Sequence, residues 1–91
     1  MELTDGTYLK LGHLYHRIEI DHGYWVGVKE TDLESVNSGT LFGVWIDDTG
    51  KKWIDLVDYE YNQTNAIRKG RKYNQIAIYD NANQETILIN I

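Results

Sequence analysis

Three pairs of runs in which apolar and polar residues alternate, each pair joined by a turn-forming segment, predict a protein built from antiparallel hairpins. The first hairpin covers about residues 7–28 and turns at Asp21-His22-Gly23. Pairing Ile20 with Tyr24 sets Ile18 and Val26 on one face and Arg17, Glu19 and Trp25 on the other. Upstream the apolar phase slips from Leu9 and Leu11 to Leu14, Ile18 and Ile20, with Gly12 at the slip, which predicts a bulge or bend there. The second hairpin covers about residues 40–61 and turns at Asp48-Thr49-Gly50, so that Asp47 faces Lys51. Phe42, Val44, Ile46, Ile54 and Leu56 then share one face. Trp45 and Trp53 come opposite each other on the reverse, in line with Leu41, Asp55, Val57, Tyr59 and Tyr61. The third hairpin covers about residues 72–91, turns near Asn81-Ala82-Asn83-Gln84, and places Ile76, Ile78, Ile87, Ile89 and Ile91 on one face, so its last strand is expected to be integral to the sheet.

Two short helical connections link the hairpins. Thr31-Asp32-Leu33-Glu34 has the spacing of a capping box, in which Thr31 accepts from the amide of Glu34, with Gly39 as a stop. Residues 62–70 offer Thr64 as a cap, Ala66 and Ile67 as helix residues, and Gly70 as a stop. Short links of this kind favour a small barrel or twisted sheet over a doubly wound α/β fold, which needs long crossover helices. The expected class is mainly β: a small antiparallel barrel, SH3-like as first choice, or a strongly twisted sheet, of about six strands with one or two short helices. The alternative is an α+β open antiparallel sheet with a helix on one face.

The 91 residues are read as a single β-rich domain, because a second domain would be too short to build its own core. Ten Ile, five Val and seven Thr against three Ala reinforce the strand reading. With no cysteine the chain has neither disulfide nor thiolate, which suits a reducing, cytoplasmic setting. The N-terminal residues lack a basic stretch followed by an apolar run, and no run reaches 18 apolar residues, so neither a signal peptide nor a membrane span is expected. A net charge of −5 disfavours nonspecific binding to duplex nucleic acid and tilts towards a basic partner.

His13, His16 and His22 invite a metal reading, but strand positions three apart face opposite ways, and the pairing above puts His16 opposite Val28 on the core side. The carboxylates form no triad: Asp58 and Glu60 share a face, Asp47 adjoins Asp48, and Asp55 points away from Asp58. The two serines, Ser35 and Ser38, stand in no nucleophile motif, and no phosphate-binding or dinucleotide fingerprint is present, so neither catalysis nor a cofactor is expected.

Two clusters remain. Arg68, Lys69, Arg71 and Lys72 with Tyr73 suit phosphate or ligand binding, set against a role in ending a helix and guarding a strand. Trp45, Trp53, Trp25, Tyr59 and Tyr61, bordered by Asp47, Asp48, Asp55, Asp58 and Glu60, suit a protein partner, set against filling the interior of a barrel. The resulting expectation is a non-enzymatic protein that occupies a partner's surface. Such a partner would be a basic nucleic-acid-binding protein, as for a phage or mobile-element accessory protein that inhibits a host defence nuclease. The alternatives are a small barrel binding nucleic acid or a nucleotide, and a structural subunit that joins other chains, including copies of itself, through a sheet edge.

Overall fold

The computed structural model describes residues 3–90. The protein is mainly β: the described residues form seven strands, antiparallel in every described pairing, and one α-helix. The strands are β1 (Gly6–Leu11), β2 (Leu14–Ile18), β3 (Tyr24–Thr31), β4 (Leu41–Ile46), β5 (Lys52–Glu60), β6 (Ala77–Asp80) and β7 (Glu85–Leu88); the helix, α1, is Gln63–Lys72. Two compact units divide the chain. The first takes the described residues up to Glu19 together with Lys29–Leu56, and the second takes Ile20–Val28 and the residues from Val57 onward. Among the described residues no helix is long and apolar enough to cross a membrane.

In the first unit the strand order is β2-β1-β4-β5. The predicted pairing of residues 16–20 with residues 24–28 does not form. Leu14–Ile18 turns back on Gly6–Leu11 instead, with Leu11 opposite Leu14 and Thr7 opposite Ile18. Of the bulge or bend predicted at Gly12 the structure has the bend, as a two-residue hairpin loop. The Gly12 φ of +61° followed by a residue of negative φ is what a loop with glycine at its first position requires. The β4–β5 hairpin has the predicted register: Asp47 N–H donates to the Lys51 carbonyl at 2.9 Å, and Trp45 lies opposite Trp53. Its inward face supplies Phe42, Val44 and Ile54, which form a core with Leu3, Tyr8 and Val36, while Tyr15, Leu33 and Leu56 pack against it. Ile46, expected in that core, is 38% exposed at the strand end. The capping-box expectation is corrected as well. Thr31 ends β3, and the carboxylate of Asp32 caps the single 3-10 turn Leu33–Ser35 by accepting from Ser35 N–H at 2.9 Å.

In the second unit the order is β5-β3-β6-β7, and α1 packs on one face of the strands. Val26, Ala66, Ile78 and Ile89 form this core, with Tyr24, Ile67 and Ile87 against it. The third hairpin forms with its loop at residues 81–84 as predicted and Ile78 opposite Ile87, but its first strand starts at Ala77 and not at about residue 72, which ends α1. Ile76, expected beside them, precedes β6 and is exposed, and Ile91 lies outside the described residues. The cap of α1 is Asn62, whose side-chain oxygen accepts from Asn65 N–H, and not Thr64. Gly70 does not end the helix. It is buried within it, where a Cβ would come 2.4 Å from Ile89 Cδ1, so glycine is what allows the C-terminal segment to close on α1.

Candidate functional site

Strand alternation gives the first unit a second face, turned away from its core. Trp45 and Trp53 stack there with ring centroids 5.9 Å apart and planes 15° from parallel. Trp53 is the anchored member: its indole N–H donates to Asp47 Oδ2 at 2.9 Å, and Lys51 Nζ stands 3.9 Å from its ring. Trp45 is the free member, 50% exposed. The same face continues through Leu41 on β4, Leu9 and Leu11 on β1, and Leu14, His16 and Ile18 on β2, with Leu11 48% and Leu14 64% exposed. Pairing residues 16–20 with residues 24–28 hides these aliphatic neighbours of the tryptophans, because it takes β2 away from β1. The signal lies in the placement of Leu11 and Leu14 symmetrically about Gly12-His13, the spacing of a two-residue hairpin loop. His16 thus lies exposed opposite Leu9 and not on a core face opposite Val28.

The acidic residues expected to border this surface do different jobs. Asp47 is structural, accepting from Thr49 N–H and Oγ1, Lys51 N–H and the Trp53 indole. Hydrogen bonds from Thr49 and Trp53 hold its carboxyl at about 2, below the ordinary carboxylate range. A carboxyl lowered in this way supports the hairpin above its unfolded value and loses that support as pH falls through about 2. Near-ultraviolet circular dichroism of the stacked tryptophans is therefore expected to weaken as pH falls from the ordinary carboxylate range towards 2, and in Asp47→Ala to be weak already at neutral pH. An unchanged tryptophan signal in Asp47→Ala at neutral pH would remove this role. Asp48 is exposed in the turn. Asp55 is half-buried opposite Gly43, and burial, with the nearby Glu30 charge adding, raises its pKa.

Asp58 and Glu60 belong to the second unit and are both engaged by Lys69, whose Nζ lies 3.5 Å from Asp58 Oδ2 and 3.2 Å from Glu60 Oε2. Burial works against the Lys69 charge, but the two carboxylates outweigh it and its pKa is raised. Lys69 is thereby removed from the predicted phosphate-binding cluster. Arg68 and Lys72, one turn apart, lie on the exposed face of α1 opposite the buried Ala66 and Gly70, with Lys72 Nζ 5.6 Å from the Tyr73 ring. Arg71 is exposed on the flank, its guanidinium 3.5 Å from the Ile89 carbonyl. The predicted strand-guarding role of Arg71 and Lys72 is corrected, since both stand in the last helical turn, where cations complement the helix C-terminus.

Trp25, expected beside Arg17 and Glu19, lies opposite Tyr79 on β6 with its ring 5.6 Å from that of Tyr59. His22 stands 6.0 Å from both Tyr59 and Tyr61, so the second unit has an aromatic row of its own. Burial, with Tyr61 nearby, raises the pKa of the Tyr59 phenol. Arg17 instead bonds Glu19 at 3.1 Å and the Tyr8 hydroxyl at 3.2 Å. Among the described residues no three His, Asp or Glu side chains are grouped to hold a metal ion. No protein-family model, curated protein or solved structure matches this chain.

Proposed function

We propose that the protein is a non-enzymatic binding module that acts by occupying the surface of a partner protein, with Trp45 at the centre of the contact. One observation carries this reading: an indole half-exposed on a sheet face, held rigid by a second indole that is itself anchored to a carboxylate. A large ring already fixed in place loses little entropy on binding, which is what interface hot spots share. Leu9, Leu11, Leu14, Ile18 and Leu41 extend the apolar area, and an exposed patch of this composition is characteristic of protein contacts. Asp48, Asp55 and Glu30 in the same unit, with the net charge of −5, favour a basic partner and faster encounter with it. A cytoplasmic nucleic-acid-binding protein, such as a host defence nuclease met by a phage-encoded inhibitor, has that chemistry.

The test begins with capture of a partner by the intact chain and continues with affinity measurements on the purified pair. Trp45→Ala is expected to weaken binding by about 30-fold or more, the range of a hot-spot truncation. Arg71→Ala and Lys72→Ala are expected to leave it unchanged. Equal affinity of Trp45→Ala and the parent would refute the assignment. Salt-sensitive binding of a single-stranded oligonucleotide that Arg71→Ala abolishes would instead make nucleic acid the ligand.

A further inference from the structure

β2 is the edge of the first unit's sheet and, among the described residues, pairs only with β1. The direction of its main-chain groups follows from β1. Lys10 N–H donates to the Thr40 carbonyl and the Lys10 carbonyl accepts from Gly39 N–H, so Lys10 turns its peptide groups to the β4 side. Leu9 and Leu11, the alternate residues, therefore turn theirs to β2, where their partners are His16 and Leu14. Tyr15 and Arg17 are left with N–H and C=O groups directed outward from the edge.

Exposed edges are ordinarily protected by lysine, proline, a bulge or an inward-pointing charge. β2 contains neither lysine nor proline, and its register with β1 is uninterrupted. The Arg17 side chain does not guard the edge either, being held by Glu19 and the Tyr8 hydroxyl.

We propose that β2 pairs antiparallel with β2 of a second copy about a two-fold axis at His16, which joins two first-unit sheets edge to edge. The outward groups of Tyr15 and Arg17 then exchange both main-chain hydrogen bonds with Arg17 and Tyr15 of the second copy, as a hydrogen-bonded antiparallel pair requires. Charge selects this register from its neighbours. An axis at Arg17 would set that cation against its own copy, and an axis at Tyr15 would set it against His13. With the axis at His16, Arg17 meets the Tyr15 ring and Glu19 comes level with His13. On the outward face Leu14 comes beside Ile18 of the second copy, so the apolar face containing Trp45 continues across the axis. The edge is complementary to itself, which makes a second copy its occupant.

His16 would face its own copy as a non-hydrogen-bonded pair, with Cα atoms about 4.5 Å apart, inside the range a disulfide spans. The chain has no cysteine, so His16→Cys introduces a single thiol. Light scattering of the intact protein over a concentration series is expected to show a reversible dimer. Under mild oxidation His16→Cys is expected to form a covalent dimer about tenfold faster than Asp48→Cys. Arg17→Pro removes an outward N–H without touching the β1 ladder and is expected to give a folded monomer by circular dichroism, whereas Arg17→Ala still dimerises. A monomer up to millimolar concentration overturns the proposal, as does a dimer in which His16→Cys cross-links no faster than Asp48→Cys. If Arg17→Pro fails to fold, the cross-linking rates decide.

Discussion

A chain ending at Glu85 is expected to lose cooperative folding of the second unit. Removing residues 86–91 takes away β7 and with it Ile87, opposite Ile78, and Ile89, which is 9% exposed and closes the core over Ala66 and Gly70. It also removes the Ile89 and Asn90 amides that donate to the Ile76 carbonyl, and the Asn90 side chain that donates to the Gln75 carbonyl at 2.6 Å. Burial of Ile89 contributes about 1.5–3 kcal/mol and the half-buried Ile87 less. Together with the lost β6–β7 ladder and the hydrogen bonds to Ile76 and Gln75, the sum reaches the lower end of the stability of a typical small domain, about 5–15 kcal/mol. Denaturant unfolding followed by far-ultraviolet circular dichroism checks this. A soluble truncated chain with a sharp transition would show that the terminal strand is dispensable.

Phe42→Ala is expected to cost about 3–5 kcal/mol, the range for truncating a fully buried aromatic ring. Phe42 is 0% exposed; it stacks on Tyr8 at 5.6 Å and meets the edge of Tyr15 at 5.7 Å, so both neighbours lose a partner and a cavity opens between β1, β2 and β4. Urea unfolding should show a lower midpoint with an unchanged slope. Trp45→Ala, on the opposite face of the same strand, is expected to shift the midpoint by less than a third as much. Equal losses at the two positions would mean that Trp45 belongs to the core.

The tryptophan pair and the basic cluster differ in how far local sequence determines them. Trp45 faces Trp53 because one short turn, Asp47 to Lys51, sets the register of both flanking strands, and every side chain then follows from period-two alternation. Arg68, Lys69, Arg71 and Lys72 fall within five positions of the sequence but point in different directions in space. A helix rotates Lys69 towards Asp58 and Glu60 on a strand that ended three residues before α1 began, and leaves Arg68 and Lys72 in solvent. Composition identifies such a cluster without telling which of its charges are already paired.

By itself the sequence determined the β class, the turns at residues 47–51 and 81–84, and the register of the hairpin that the first of them closes, because turn chemistry and alternation act over a few residues. The tertiary structure decided the partner of β2. Two glycine turns flank that strand, Gly12-His13 and Asp21-His22-Gly23, and each has acceptable local chemistry. Only the packing of Tyr8, Tyr15 and Phe42 into one core makes the first of them the hairpin. The same choice set the identity of the exposed face, because which strands lie side by side is a long-range matter that no local pattern records.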